Sequence, residues 1–303
     1  MRIFTATILF TALSMCAFGL QFSFDIHPDL GEDTGMDLRG GGRVWLRTMT
    51  TPLDPERREE THKVYTHIFD FEGDGPITKG PGGRFSHHRG MFIGWNHTNV
   101  GDTRYDTWHM GNSSQRQMSW DSLEPGEGSA TQVQTIEWRD TDDEAFIRET
   151  RTITAQPGPD GTRIFDFTST LESLRGTIEL RGDLHHAGMQ VRMADEVTQH
   201  EDTTEYILPE GAEELDNDWV EGAWWIGCSP VVRDKRYWLI HMTPQDHPTG
   251  IPVYSIRRYA RFGAFFETDL EEGTPLTLTF RVLVSETKLD QARCQELYDA
   301  YSE

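Results

Sequence analysis

The residues best suited to chemistry in this sequence are its histidines, and two adjacent pairs stand out. His87-His88 lies in Gly82-Gly83-Arg84-Phe85-Ser86-His87-His88-Arg89-Gly90, and His185-His186 in Gly182-Asp183-Leu184-His185-His186-Ala187-Gly188-Met189-Gln190. Neutral imidazole carries protons near pH 7 and also ligates metals. An isolated histidine is usually a satisfied core or surface residue. Two pairs beside glycine, arginine and glutamine point instead to a site. Proton transfer is assigned here to His87, His88 and His186, with Arg89 neutralising the charge that develops.

Strand geometry sharpens the choice. If each pair lies on a strand, neighbouring side chains point to opposite faces and only one member of a pair serves a given site. His185 would then share a face with Ala187, Met189, Val191 and Met193, and His186 with Gln190 and Arg192. The polar face is the candidate cleft. In the first pair Gly90 can bulge a strand, so both histidines stay in the set.

Arginine next to histidine suits an anionic group. Arg84, Arg89 and Arg192 could each grip a uronate carboxylate or a sulfate with two hydrogen bonds; ion pairing with the many carboxylates is the competing reading. Aromatic rings form the third element. Trp95, Trp108 and His109 follow the first pair, and Trp219, Trp224 and Trp225 follow the second. Flat rings suit the C–H faces of sugars, although a tryptophan in a β-rich protein is more often core. Trp95, Trp108, His109, His185 and Gln190 join Arg84 and Arg192 as expected substrate contacts. No metal set is assigned. Histidines drawn from His87, His88, His97, His109, His185 and His186 could hold zinc or copper, but neither helical i, i+4 spacing nor a thiolate group supports it.

The elements that must position these residues read as strands. Thr131–Trp138, Ile147–Ala155, Thr162–Leu171, Thr177–Leu184, Arg236–Thr243 and Thr274–Ser285 are short and rich in Val, Ile, Thr and aromatics. Several alternate with period two, as in Leu276-Thr277-Leu278-Thr279-Phe280. Pro157-Gly158-Pro159-Asp160-Gly161 reads as a hairpin connection. Only Glu286–Tyr301 has helical spacing, with Thr287 as its expected cap. Strands without alternating helices predict an all-β fold: one large antiparallel sandwich domain over 20–303 with a short C-terminal helix.

Composition narrows the function classes. Against 28 Lys+Arg stand 50 Asp+Glu, a formal net charge of −22. Such a field repels phosphate, so nucleic acid is not an expected partner. Beyond the first 20 residues no run of about 18 apolar residues occurs, so no membrane span is expected. Residues 1–19 combine Arg2, an apolar stretch and Ala17-Phe18-Gly19, the pattern of an export signal. The expected location is periplasmic or extracellular. Export leaves Cys228 and Cys294, which either form one disulfide or stay as two buried thiols.

Two segments, Phe85-Ser86-His87-His88-Arg89-Gly90-Met91-Phe92-Ile93-Gly94-Trp95 and Asp183 to Arg192, resemble the hallmark segments of the PmoA-like family of secreted bacterial proteins. Trp238 to Pro252 with His247-Pro248, Arg261-Phe262-Gly263, and Pro275 to Ser285 fit the same pattern. The resemblance runs from about Tyr65 to the end; residues 96–122 and the acidic stretch 210–218 depart from it. It implies a sandwich similar to galactose-mutarotase-type supersandwich folds, found beside polysaccharide-degrading enzymes. The methane oxygenase label attached to the family conflicts with the lack of a membrane span.

The reading that joins these threads is an exported carbohydrate-active enzyme without a cofactor, acting on an oligosaccharide or polysaccharide. Eliminative cleavage or dehydration of a uronate-containing glycan leads, because arginine beside histidine fits a carboxylate flanking an acidic C–H. Three alternatives stay open: a glycoside hydrolase or epimerase on the same scaffold, a histidine-ligated zinc or copper protein, and a non-catalytic glycan-binding module.

Overall fold

The computed structural model describes residues 19–31, 33–215 and 218–303, so the expected export signal lies, Gly19 apart, outside the described residues. Strands dominate them. Ten form one sheet in the order Phe22–Leu30, Asp33–Gly40, Arg43–Met49, Tyr65–Ile68, Met91–Trp95, Ala187–Arg192, Arg261–Phe265, Val253–Arg257, Trp219–Glu221, Glu213–Leu215. Eight form a second, centred on Leu276–Ser285, Arg163–Ser173, Ala145–Pro157 and Ala130–Arg139. Both sheets are antiparallel, and a smaller sheet pairs Ile178–Arg181 with His97–Val100.

The second sheet shows why alternation was legible. Ala130–Arg139 alternates buried and half-buried residues along its length, one face on the core and one toward water. Ile136, Trp138, Ile153, Phe165, Phe167 and Phe280 supply its inward face. The opposing sheet contributes Met91, Ile93, Trp95, Met189, Val191, Phe262 and Ala264 to the same continuous core. The chain is an antiparallel β-sandwich with a short C-terminal helix, as the strand spacing predicted.

Details differ in instructive ways. The expected strand Thr177–Leu184 stops at Arg181, and Gly182–His186 leaves the sheet as a turn. The helix runs Gln291–Ser302, shorter than expected; its cap is Asp290, whose carboxylate accepts from the Arg293 N–H at 2.9 Å, and not Thr287. Cys228 and Cys294 are free and buried. No helix among the described residues is long and apolar enough to cross a membrane.

The centre of the ten-stranded sheet is buried on both faces. Met91–Trp95 and Ala187–Arg192 are buried throughout. One face, with Met189 and Val191, enters the core. The other carries Phe92, Gln190, Arg192 and Arg261, and connecting loops cover it. Gly188, at φ +82°, lets the neighbouring strand approach closely: a β-carbon there would come within 2.0 Å of the Ala264 carbonyl oxygen. The loops over this face carry the histidines.

Candidate active site

Three loops bring five imidazoles into one continuous row. His88 and His87 come from the segment before Met91–Trp95, His109 from the turn after Thr103–Tyr105, and His186 and His185 from the turn before Ala187–Arg192. Ring centres lie 4.3 Å apart for His88 and His87, 4.4 Å for His87 and His109, and 4.7 Å for His109 and His186. His185 follows at 6.1 Å, and Trp219 closes the row 5.6 Å further on. The indole N–H of Trp219 donates to His185 Nδ1 at 3.2 Å. An open hollow of about 560 Å³ lies at this end, between Asp183, His185, His186, Trp219 and Phe265.

Both members of each pair take part because neither pair is on a strand. The expectation that alternation would send one member away fails for that reason. The same alternation holds once the strand begins: Met189 and Val191 enter the core, and Gln190 and Arg192 face the loops.

Two of the imidazoles are oriented identically by an aspartate three residues earlier. His109 Nδ1 lies 2.8 Å from Asp106 Oδ2, and His186 Nδ1 lies 2.7 Å from Asp183 Oδ1. Each aspartate is fixed in turn. Asp106 Oδ1 accepts from the Trp108 and His109 N–H groups at 3.0 and 2.7 Å; Asp183 accepts from the His185 N–H at 2.9 Å and from the Asn96 side chain at 2.8 Å. An ionised carboxylate at Nδ1 makes that nitrogen the donor and leaves the lone pair on Nε2. Burial opposes the Asp183 charge, but these hydrogen bonds prevail and hold its carboxyl at about 2. Asp106 is lowered in the same way.

The row descends from water into the protein. His109 and His186 are about one-third exposed, His87 is half-buried and His88 is sealed at 2 %. Burial, reinforced by the charges of Lys63, His109 and His186, pushes His87 down to about 2. Burial and then Arg261 keep His88 neutral as well. Burial also lowers His186, against the pull of Asp183. Buried basic side chains, Lys63, Arg89, Arg192 and Arg261, act on the inner end of the row at His87 and His88. No group of three or more His, Cys, Asp or Glu among the described residues is arranged to hold a metal ion.

Other expected contacts have different duties. Arg89, fully buried, donates to the Glu59, Ser86 and His88 carbonyls and so fixes the loop that carries His87 and His88. Arg84 is exposed, pairs with Glu201 and lies over Phe85 and Tyr259. Trp95 is core, packed on Trp138 with its N–H on the Phe266 carbonyl at 3.0 Å. Trp108 is buried beneath His186 and packs on Phe92. Neither ring is open to a sugar. Trp224 and Trp225 pack with the C-terminal helix, which leaves Trp219 as the tryptophan beside the hollow. His97 pairs across to Arg181 in the small sheet and is outside the row.

Sequence reasoning missed Asp106, Asp183, Lys63, Arg261 and Tyr259. A signal for the first two was present: Asp-x-x-His occurs at Asp106–His109 and again at Asp183–His186. Lys63 carried none. Its Nζ donates to the Trp108 and His87 carbonyls at 2.6 and 3.2 Å, tying together the loops that hold His87 and His109.

Fold and site thus define a β-sandwich with paired aspartate–histidine dyads beside an open hollow. The chain belongs to DUF6807, a family of unknown function, whose model matches residues 36–299. No curated protein matches it. Among solved structures it is similar to HI1317, at 9 % identity and a TM-score of 0.33 over 87 % of this chain and 100 % of that one. It is also similar to a putative kojibiose phosphorylase from the human microbiome, at 9 % identity and a TM-score of 0.36, covering 93 % of this chain and 35 % of that one.

Proposed function

We propose that this chain is an exported carbohydrate-active enzyme that moves protons with His109 and His186 on a uronate-containing saccharide, leading to eliminative cleavage or dehydration. The observation that carries the reading is the pair of imidazoles 4.7 Å apart, each locked by its own aspartate. Rings this close place a proton acceptor and a proton donor side by side, one to take a proton from the substrate and the other to deliver one. The neutral ring takes the proton from the carbon next to the sugar carboxylate. Its electron pair forms a carbon–carbon double bond, the neighbouring carbon–oxygen bond breaks, and the protonated ring gives its proton to the departing oxygen. The nearby cations support the negative charge that gathers on the carboxylate during this transfer. Trp219 and the hollow beside it offer a flat wall for an adjoining sugar.

The test is incubation with neutral, uronic and sulfated oligosaccharides, read by mass spectrometry and ultraviolet absorbance. Elimination gives an unsaturated product that absorbs and carries no added water. Alanine at His109 and at His186 is expected to abolish it. Added water in the product would indicate hydrolysis, and turnover that survives both substitutions would remove the histidines from the mechanism.

A further inference from the structure

Arg192 and Arg261 stand directly opposite each other in register on neighbouring strands, facing the same covered side of the sheet. Both are fully buried. Like charges placed opposite each other across strands repel, and the repulsion grows as water is removed. The surroundings offset it mainly through neutral groups: Arg192 Nη1 donates to the Tyr259 carbonyl, and Arg261 hydrogen-bonds the Tyr259 side chain. The nearest carboxylate, Asp195, is 3.6 Å from the Arg192 guanidinium and is shared with Lys79 at the same distance. Arg261 has no carboxylate partner among the described residues; it donates to the Gln190 side-chain oxygen at 3.0 Å and lies beside the Tyr259 phenol. Nε and Nη2 of Arg192 and Nε of Arg261 are buried without a hydrogen-bond acceptor. Interior guanidinium groups left in this state are costly unless a ligand completes them.

Aromatic rings cover both, Arg261 lying against Trp108 at 5.9 Å. Arg192 lies under the Tyr259 ring at 4.6 Å, and Phe85 packs on that ring at 5.0 Å and on His88 at 5.3 Å. Phe85 is an exposed bulky residue at φ +59°, a backbone region such side chains rarely adopt. It follows Gly82 and Gly83, both at positive φ. Strain of this kind persists where a segment has two uses.

We infer that Arg192 and Arg261 form the subsite for the anionic group of the ligand, a carboxylate or sulfate carried by a sugar, reached when the Phe85 segment lifts from Tyr259. This deepens the proton-transfer reading by naming what holds the substrate's anionic group at the buried end of the histidine row, where both guanidinium charges act on His88, and it rests on that reading only for the sugar. An oxyanion bridging the two guanidinium groups would accept from both and cancel their repulsion. Arg84 and Arg89, engaged with Glu201 and with backbone carbonyls, are then not the anion receptors.

The experiment is calorimetric titration of the full chain with galacturonate, its methyl ester and galactose 6-sulfate, without turnover. Tighter binding of galacturonate than of its uncharged ester is expected, and the sulfated arm separates a carboxylate receptor from a sulfate receptor. In Arg261→Met the preference for the charged sugar should fall at least about tenfold, with the melting temperature unchanged or higher, because an uncompensated buried charge has been removed. Arg261→Lys keeps a charge but not the planar two-pronged donor, and should lose most of the preference too. The proposal is overturned if neither anionic sugar binds better than the ester, if Arg261→Met keeps the preference, or if its melting temperature drops by more than about 4 °C. Because these arms read binding alone, their failure is distinct from an absence of product in the histidine test.

Discussion

Asp183→Asn is the sharpest perturbation of the dyads, since it changes one oxygen to nitrogen and leaves the shape alone. The carboxylate now fixes the proton of His186 on Nδ1, 2.7 Å away. An amide in its place can turn its NH₂ toward Nδ1, which moves the imidazole proton to Nε2 and removes the lone pair the reaction needs. General acid–base catalysis by a positioned histidine contributes about 10²–10⁴-fold, so turnover should fall within that range. Stability should change much less. The carboxyl is held at about 2 against an ordinary 3.8, and since its side chain is half exposed the screened contribution is about 1 kcal/mol. A depressed acid stabilises the fold above its unfolded pKa, and that share is lost as pH falls from about 4 to 2. The assays are turnover on a uronate oligosaccharide, nitrogen-15 NMR of the His186 tautomer, and urea unfolding. In a double-mutant cycle, Asp183→Asn placed on His186→Ala should cost nothing further. The reasoning is refuted if the tautomer does not switch, or if the two substitutions cost turnover independently.

Two other outcomes follow from the same geometry. Burial lowers His62 and His87 to about 2, His67 and His241 to about 3, and His185 and His247 to about 4, against 6.5 when exposed. Below pH 6.5 the unfolded chain therefore binds more protons than the folded one, and stability must decline as pH drops, by up to about 1.4 kcal/mol per pH unit for each such histidine. Urea midpoints measured from pH 8 to pH 5 should be flat above about 7 and fall steeply beneath it; a flat profile throughout would mean these rings are hydrated. Arg89→Ala should cost about 3–5 kcal/mol in chemical denaturation, since it leaves the Glu59, Ser86 and His88 carbonyls without their donor and opens a cavity beside Tyr65. An intact loop and unchanged stability in that variant would contradict its anchoring role.

Much of the scaffold was legible because burial writes a period of two into a strand. Ala130–Arg139 and Leu276–Ser285 have one face on the core and could be read directly. Met91–Trp95, buried on both faces, carries no alternation, and its side assignments emerge only when its neighbours are known. The histidine pairs were visible as composition, but their use was misjudged where a strand was assumed and a turn exists. Trp95 and Trp108 show the same limit: a tryptophan on a core face and one near a cleft look alike until packing assigns the face.

The sequence by itself determined an acidic β-protein with clustered imidazoles and with arginine beside them, since charge, periodicity and residue type are local properties. Tertiary structure alone decided that His109 meets His186, that Lys63 ties the loops of His87 and His109, and that Arg192 faces Arg261. Those contacts link residues tens of positions apart, through strand order and register. No spacing along one chain encodes which strand will lie next to which, because that is settled by the competition among all faces for a shared core.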